Sequence, residues 1–237
     1  MSRTKHTRLA RIRVLYTGET HSRALAGVQK QRYRDEIIPS AAPAQAELEA
    51  CLLRALATSI GAWSPTAEGT LYGIYEVSPE EQNITVRVND AGGLPPLARL
   101  LPALMPDGTL TGVPGLRSRR RERRHVIERL GLDGRVTIEP GRDWRQHLQR
   151  WEDSLPAGVE PLWQRSNLHP VEQVAMSTTE VPPVGVVSEL QRWYPAQVRR
   201  CSPQAAPYSA SMQASAAAMA SSFSSKLPSF KAPTVSS

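Results

Sequence analysis

Apolar side chains recur every three or four residues near the N-terminus, which is the spacing of a helix with one buried side. Leu9 and Ile12 mark this side within residues 4–16. Gly18 follows, and glycine readily ends a helix in a left-handed conformation. A second helix is expected over residues 20–34, so the pattern predicts a short helical hairpin with arginines on its outer side.

Two further helices are predicted in the body of the chain. Residues 44–60 place leucines at helical spacing and are rich in Ala, Leu and Glu, which favour helices. Residues 144–155 place Trp144, Leu148 and Trp151 on one side. Aromatic side chains at this spacing are usually core anchors, so both helices are expected to pack on a sheet.

Apolar and polar residues alternate in three segments, which is the pattern of half-buried strands. Residues 70–77 and 83–88 flank a short acidic turn and predict a hairpin. Residues 135–139 alternate in the same way and would add a third strand. We therefore expect an α+β fold: a small antiparallel sheet covered by helices, with an N-terminal helical hairpin and a disordered C-terminal tail.

Composition divides the chain into three parts. Residues 1–36 form the basic helical hairpin, and residues 37–194 the α+β domain. In residues 195–237 Ser, Ala and Pro dominate and acidic residues are absent. Such a segment buries too little apolar surface to offset its ordering entropy, so we expect a disordered tail.

The segment between the predicted hairpin and the third strand is the most informative part of the sequence. Leucines at helical spacing after Pro95-Pro96 predict a helix to about Leu104. After a glycine-rich turn, residues 117–129 contain seven arginines against two glutamates. We interpret this segment as an amphipathic helix that docks through Val126 and Ile127 and displays an arginine ridge.

Positive charge is gathered in separate places along the chain, whose formal net charge is +7. Residues 1–34 carry nine Lys and Arg against one acid, and the remainder outside the ridge and tail is acidic overall. This distribution is typical of a docking surface for an anionic partner. The alternative is that the charged faces are merely solvated, and that high arginine content with only four lysines reflects a GC-rich genome.

Arginine side chains bind phosphate with two parallel hydrogen bonds, which makes the basic segments candidate nucleic-acid contacts. The predicted binding residues are Arg117, Arg119, Arg120, Arg121, Arg123 and Arg124 in the ridge, and Arg8, Arg11 and Arg13 in the first helix. No aromatic residue lies within the ridge, so base stacking is disfavoured. Binding is therefore expected to be electrostatic and weakly sequence-specific.

The sequence lacks the spacings that common catalytic and metal sites require. None of the five histidines pairs in an HxH or HxxxH motif, and neither CxxC nor GxSxG occurs. His125 lies among arginines without a convergent acid partner, which argues against a nuclease-like role. We expect no metal and no cofactor. An enzyme whose site assembles from distant residues remains a third alternative.

The apolar pattern, the N-terminal segment and the cysteines bear on where in the cell the protein is expected. No apolar run reaches 18 residues and no secretory signal is evident, although the Arg-rich N-terminus has transit-peptide features. The two cysteines, Cys51 and Cys201, make no disulfide framework. We expect a cytoplasmic protein without membrane partners.

Two segments carry a resemblance. Residues 15–21, with the sequence LYTGETH, and residues 112–117, with the sequence GVPGLR, resemble segments of uncharacterised actinobacterial proteins of the Streptomyces type. The resemblance covers about a quarter of the chain. It implies a bacterial cytosolic setting and no particular activity.

Two functional hypotheses follow. The first is a non-enzymatic accessory protein that binds the nucleic-acid backbone electrostatically through the arginine ridge. The second is a scaffold or interaction protein that uses the helical hairpin and tail to bind an acidic protein partner or a second copy of itself. Dependence of binding on salt and on the ridge arginines distinguishes them.

Overall fold

A computed structural model describes residues 3–31, 36–60, 74–88, 96–121, 124–139 and 141–178. Helices and a β-sheet pack around one apolar core, so the α+β prediction is confirmed. The predicted tail lies outside the described residues.

The described residues form five α-helices, eight strands and two 3₁₀ helices. The α-helices are α1 (Arg3–Thr17), α2 (His21–Lys30), α3 (Pro43–Ile60), α4 (Gly141–Asp153) and α5 (Pro170–Thr178). The strands are β1 (Ile74–Glu80), β2 (Asn83–Val88), β3 (Ala103–Leu104), β4 (Leu110–Thr111), β5 (Leu116–Arg121), β6 (Arg124–Arg129), β7 (Arg135–Glu139) and β8 (Glu160–Pro161). The 3₁₀ helices span Pro96–Leu100 and Leu162–Gln164.

Five strands form the main sheet in the order β1-β2-β7-β6-β5. The expectation of a purely antiparallel sheet is wrong, because β2 and β7 pair in parallel, with Ile84 opposite Val136. All other neighbours in this sheet are antiparallel. Short turns join the antiparallel pairs, whereas the long connection from β2 to β7 allows the parallel pairing. A second sheet has the order β4-β3-β8.

One face of the main sheet forms the core with α3, α4 and the first 3₁₀ helix. Apolar side chains from all five strands lie on this face: Ile74, Val77, Ile84, Val86, Val88, Val136, Ile138, Ile127 and Leu116. Leu48, Leu52 and Leu56 cover it from α3, as the leucine spacing predicted. Trp144 of α4 is fully buried there, and its Nε1 donates a hydrogen bond to Ser118 Oγ at 3.0 Å.

The helix predicted after Pro95-Pro96 is much shorter than expected. Only the 3₁₀ helix Pro96–Leu100 forms, and the chain continues into β3. Pro102 explains the difference, because proline disfavours helical conformation in the preceding residue and lacks the N–H that a helix interior needs. Leu97, Leu100 and Leu101 are nevertheless buried, so the leucine pattern identified core residues but not their conformation.

The helix predicted over residues 117–129 is wrong, because this segment is the β5–β6 hairpin. β6 also pairs with β7, with Val126 opposite Thr137 and Ile127 opposite Val136. Arginine has a high intrinsic helix propensity, but β-branched residues favour strands, and this pairing buries both side chains. Burial on a non-local partner strand therefore decides the conformation of the segment.

The N-terminal helical hairpin is confirmed and contacts β1. Its second helix ends at Lys30, earlier than predicted. Gly18 has a φ of +73°, as expected for a residue that ends a helix in the left-handed region. The turn is also tight against the sheet, since a Cβ atom at Gly18 would lie 2.6 Å from the Tyr75 carbonyl oxygen.

Candidate nucleic-acid interface

The register of the β5–β6 hairpin divides its arginines between the two faces of the main sheet. Arg121 lies opposite Arg124, and Arg120 lies opposite His125. Because side chains alternate along a strand, Arg117, Arg119 and Arg121 share the face that points away from the core. Arg120 instead shares the core-side face.

Arg117 does not belong to any binding surface, because its side chain is fully buried. It donates hydrogen bonds to both carboxylate oxygens of Glu172 in α5, at 2.9 and 2.8 Å. Further hydrogen bonds reach the carbonyl oxygens of Arg165 and Asn167. The prediction that Arg117 contacts nucleic acid is therefore wrong, since the guanidinium is already saturated within the protein.

Glu172 has an environment that favours its ionised form. It accepts hydrogen bonds from the Gly115 and His169 backbone amides in addition to Arg117. Burial opposes its negative charge, but the Arg117 guanidinium and the two amides outweigh burial and lower the pKa of this carboxyl. The pair thus ties α5 to the start of β5.

Arg13 is buried in the same manner between the helical hairpin and the sheet. Its Nε donates to Glu19 Oε2 at 2.5 Å, and its Nη2 donates to the Pro79 carbonyl oxygen at 3.2 Å. Ser78 Oγ donates a further hydrogen bond to Glu19. Arg13 therefore fixes the hairpin to β1, and the prediction that it contacts nucleic acid is wrong.

Arg119 and Arg121 share one carboxylate. Arg119 Nε lies 2.9 Å from Glu128 Oε1, and Arg121 Nη2 lies 2.8 Å from Glu128 Oε2. The arginine side chains are 37% and 57% exposed, so this pairing lies at the surface. One glutamate neutralises half of the charge of the two arginines, and exposed pairs of this kind exchange readily with solvent or another anion.

Arg120 and Arg124 are exposed and have no partner among the described residues. Neither side chain makes an ion pair or hydrogen bond with another residue of the described chain. Glu122 and Arg123 follow β5 in the sequence and lie outside the described residues, and so does the predicted contact at Arg123. The free positive charge of the hairpin is therefore concentrated at its turn end.

Arg8 and Arg11 are exposed on α1, but they lie far from this hairpin. α1 contacts β1, whereas the hairpin forms the opposite edge of the five-stranded sheet. Four strand spacings separate the two edges, which is roughly 19 Å. The structure thus places the predicted binding residues on two separate surfaces.

Other arginines on the outer face are compensated. Arg23 Nη1 lies 3.0 Å from Glu76 Oε1, and Arg87 Nη2 lies 3.0 Å from Glu139 Oε2. Although burial opposes the charge of Glu139, its hydrogen bonds from Arg87 and Arg23 lower the pKa of its carboxyl. This network between β1, β2, β7 and α2 shows how structural arginines differ from the free pair at the hairpin turn.

One basic residue near the β5–β6 hairpin was not predicted from the sequence as part of the site. Arg145 is exposed on α4 and lies close enough to His125 to affect its charge. Burial, Arg120 and Arg145 together lower the pKa of the His125 imidazole. The core position of Trp144 predicts from the sequence that Arg145 lies at the border of the core. The sequence does not predict that Arg145 lies near β6, because this depends on how α4 packs on the sheet.

The described residues contain no group of three or more His, Cys, Asp or Glu side chains that could hold a metal ion. No helix in the described ranges is both long and apolar enough to cross a membrane. No protein-family model, no curated protein and no solved structure matches the chain.

Proposed function

We propose that the chain is a non-enzymatic accessory protein that binds the nucleic-acid backbone through the exposed arginines of the β5–β6 hairpin. These are Arg119, Arg120, Arg121 and Arg124, here called the hairpin arginines. The observation that carries the proposal is the exposure of Arg120 and Arg124 without any carboxylate partner in the described chain. Unneutralised guanidinium groups attract phosphate and bind it in a bidentate manner.

The β5–β6 hairpin suits nucleic-acid binding as a β-ribbon, whereas the sequence predicted a helix for this role. A two-stranded β-ribbon fits the width of a DNA major groove, and its alternating side chains can reach phosphates on both sides. β5 and β6 carry arginines but no aromatic residue between Leu116 and Arg121 or between Arg124 and Arg129. The proposed binding therefore rests on phosphate contacts, with little discrimination between sequences. The proposal places the protein in the cytoplasm.

The decisive experiment is a salt titration of oligonucleotide binding by the full chain, measured by fluorescence anisotropy. Phosphate contacts release counterions, so log K falls linearly with log salt, with a slope of about −0.9 per contact on duplex DNA. The double variant Arg120→Gln/Arg124→Gln should weaken binding and reduce the steepness of this slope by about two. The effect should be the same for unrelated sequences.

The matched control removes the same charge elsewhere. Arg99 and Arg150 are exposed on the first 3₁₀ helix and on α4, and the variant Arg99→Gln/Arg150→Gln should leave the slope close to that of the parent protein. Equal losses in both double variants would show that only net charge matters. Binding that ignores salt altogether would refute the proposal.

A second candidate function is favoured by Glu128. Its carboxylate is bound by two hairpin arginines, so a carboxyl group fits this surface. An acidic protein partner, or a second copy of the chain, would then compete with Glu128. Light scattering over a range of concentrations, on protein freed of nucleic acid by a high-salt wash, would show a concentration-dependent mass in this case.

A further inference from the structure

Two arginines and a histidine lie on or beside the core-side face of the sheet, in the region where α4 contacts β6. Arg120 and His125 are directly opposite each other in β5 and β6. Arg145 approaches the imidazole from α4, whose position is fixed by the buried Trp144 and its hydrogen bond to Ser118. Residues directly opposite in a sheet have Cβ atoms about 5 Å apart, so Arg120 and His125 can contact one ligand together.

Among the described residues, this cluster has positive charge and no acid. Arg120 and Arg145 make no ion pair or hydrogen bond with the described part of the chain, and the β7 residue opposite His125 is the apolar Ile138. The next charged neighbours, Arg124 in β6 and Glu139 in β7, alternate onto the outer face, where Glu139 is held by Arg87. Two arginines therefore act on His125 without compensation from a carboxylate of the described ranges.

We infer that Arg120, His125 and Arg145 form a binding site for a phosphate monoester, and that its source is the phosphorylated end of a nucleic-acid strand. A monoester carries about −1.5 to −2 charges at pH 7 and three acceptor oxygens. An internal phosphodiester carries a single charge, so a cluster of two arginines and a histidine matches the monoester better. The choice of a strand end as the source rests on the proposed function, because Arg120 is also a hairpin arginine. The phosphate site itself does not rest on the proposed function.

The first test measures the pKa of His125 by NMR in the full-length protein, with inorganic phosphate as the probe and chloride at the same ionic strength as the reference. A bound phosphate favours the imidazolium form, so phosphate should raise the pKa of His125. The variant Arg145→Gln should abolish most of this rise. The variant Arg150→Gln, which removes an exposed arginine from the same helix, should retain it.

These outcomes decide whether the site exists. A pKa that is the same in phosphate and chloride would overturn the inference. An equal rise in the parent protein and in Arg145→Gln would also overturn it, because the phosphate would then bind elsewhere. Both variants change exposed side chains, so the folded state should survive.

The second test compares two oligonucleotides of the same sequence, one with a terminal phosphate at each end and one without. The parent protein should bind the phosphorylated strand about tenfold more tightly, the gain expected from hydrogen bonds to a charged group. Arg145→Gln should lose this preference while still binding both strands through the other arginines. Equal affinity of the parent protein for both strands would reject the strand end as the source.

The two proposals can fail separately. Absence of binding to either oligonucleotide, together with a phosphate-dependent pKa of His125, would refute the proposed function and support the phosphate site. Salt-dependent binding without a phosphate-dependent pKa would support the hairpin arginines and refute the cluster.

Discussion

At the scale of single residues, the same amino acid has two opposite roles in this protein. Arg117 and Arg13 are buried and saturated by Glu172 and Glu19, whereas Arg120 is exposed and free. The sequence could not separate these roles, because Glu172 lies 55 residues from Arg117 and meets it only after folding. Local charge density identified the basic segment but not the arginines available to a partner.

Removing one partner of the Arg117–Glu172 pair should strongly destabilise the protein. Glu172→Ala leaves a buried guanidinium without its counter-charge, which costs about 3–5 kcal/mol in comparable cases. The double variant Arg117→Met/Glu172→Leu should lose less free energy of unfolding, because no buried charge remains. Urea unfolding measures both values.

The control for this prediction is the exposed pair between Arg165 and Glu160. Glu160→Ala should change the free energy of unfolding by no more than about 1 kcal/mol, as surface pairs usually do. A double variant less stable than Glu172→Ala would show that the hydrogen bonds of Arg117 to backbone carbonyl oxygens outweigh the cost of its buried charge.

Stability should depend on pH through the same carboxyl. The pKa of Glu172 is lower in the folded protein than in the unfolded chain, so below pH values near its ordinary value the unfolded state binds more protons. The stabilisation is therefore complete above the unfolded pKa and is lost as the pH falls through the folded pKa. Compared with the parent protein, Glu172→Gln should show a smaller decline in the free energy of unfolding as the pH falls below about 5. Glu160→Gln should leave the decline unchanged.

At the scale of elements, the predictions succeeded where local pattern and tertiary burial agree. α3 was predicted over residues 44–60 and forms Pro43–Ile60, and β2 forms within the predicted bounds. The helix prediction for residues 117–129 was wrong, because the sequence of this segment alone does not show that it pairs with Val136 and Thr137 of β7. The apolar spacing along this segment therefore could not predict the β5–β6 hairpin or the distribution of its arginines over both faces of the sheet.

The contact of the α1–α2 turn with β1 can be tested at Gly18. Gly18→Ala should be destabilising for two reasons: φ is +73°, and the new Cβ would meet the Tyr75 carbonyl oxygen. Gly131 is a matched control, since its φ is +88° but a Cβ there would meet nothing within 4 Å. Gly131→Ala should cost about 1 kcal/mol from backbone strain alone.

The difference between the two variants isolates the packing of the turn on the sheet. Thermal unfolding should give a lower Tm for Gly18→Ala than for Gly131→Ala. Equal Tm values would mean that β1 yields to the added methyl group and that the close approach contributes little.

At the scale of the whole molecule, positive charge lies at both edges of the main sheet. Charge composition predicted separate basic segments, but their placement on opposite edges follows from the strand order. Arg8 and Arg11 on α1 are too far from the hairpin to contact the same short stretch of backbone. A short oligonucleotide should therefore engage one surface at a time.

This separation predicts additive behaviour. With a short duplex, Arg8→Gln/Arg11→Gln should change the salt slope much less than Arg120→Gln/Arg124→Gln, and the quadruple variant should show the sum of both effects. Anisotropy titrations of the three variants provide the comparison. A larger effect from the α1 pair would move the interface to the helical hairpin.

The parallel pairing of β2 with β7 has a consequence for the order of folding. β1–β2 and β5–β6–β7 are each joined by short connections and can form early, whereas β2 and β7 meet only after a long loop closes. Mutations at this seam, such as Val136→Ala, should slow folding most. Arg120 and Arg124 take no part in the seam, so they can be exchanged for other residues without changing how fast the chain reaches its native state.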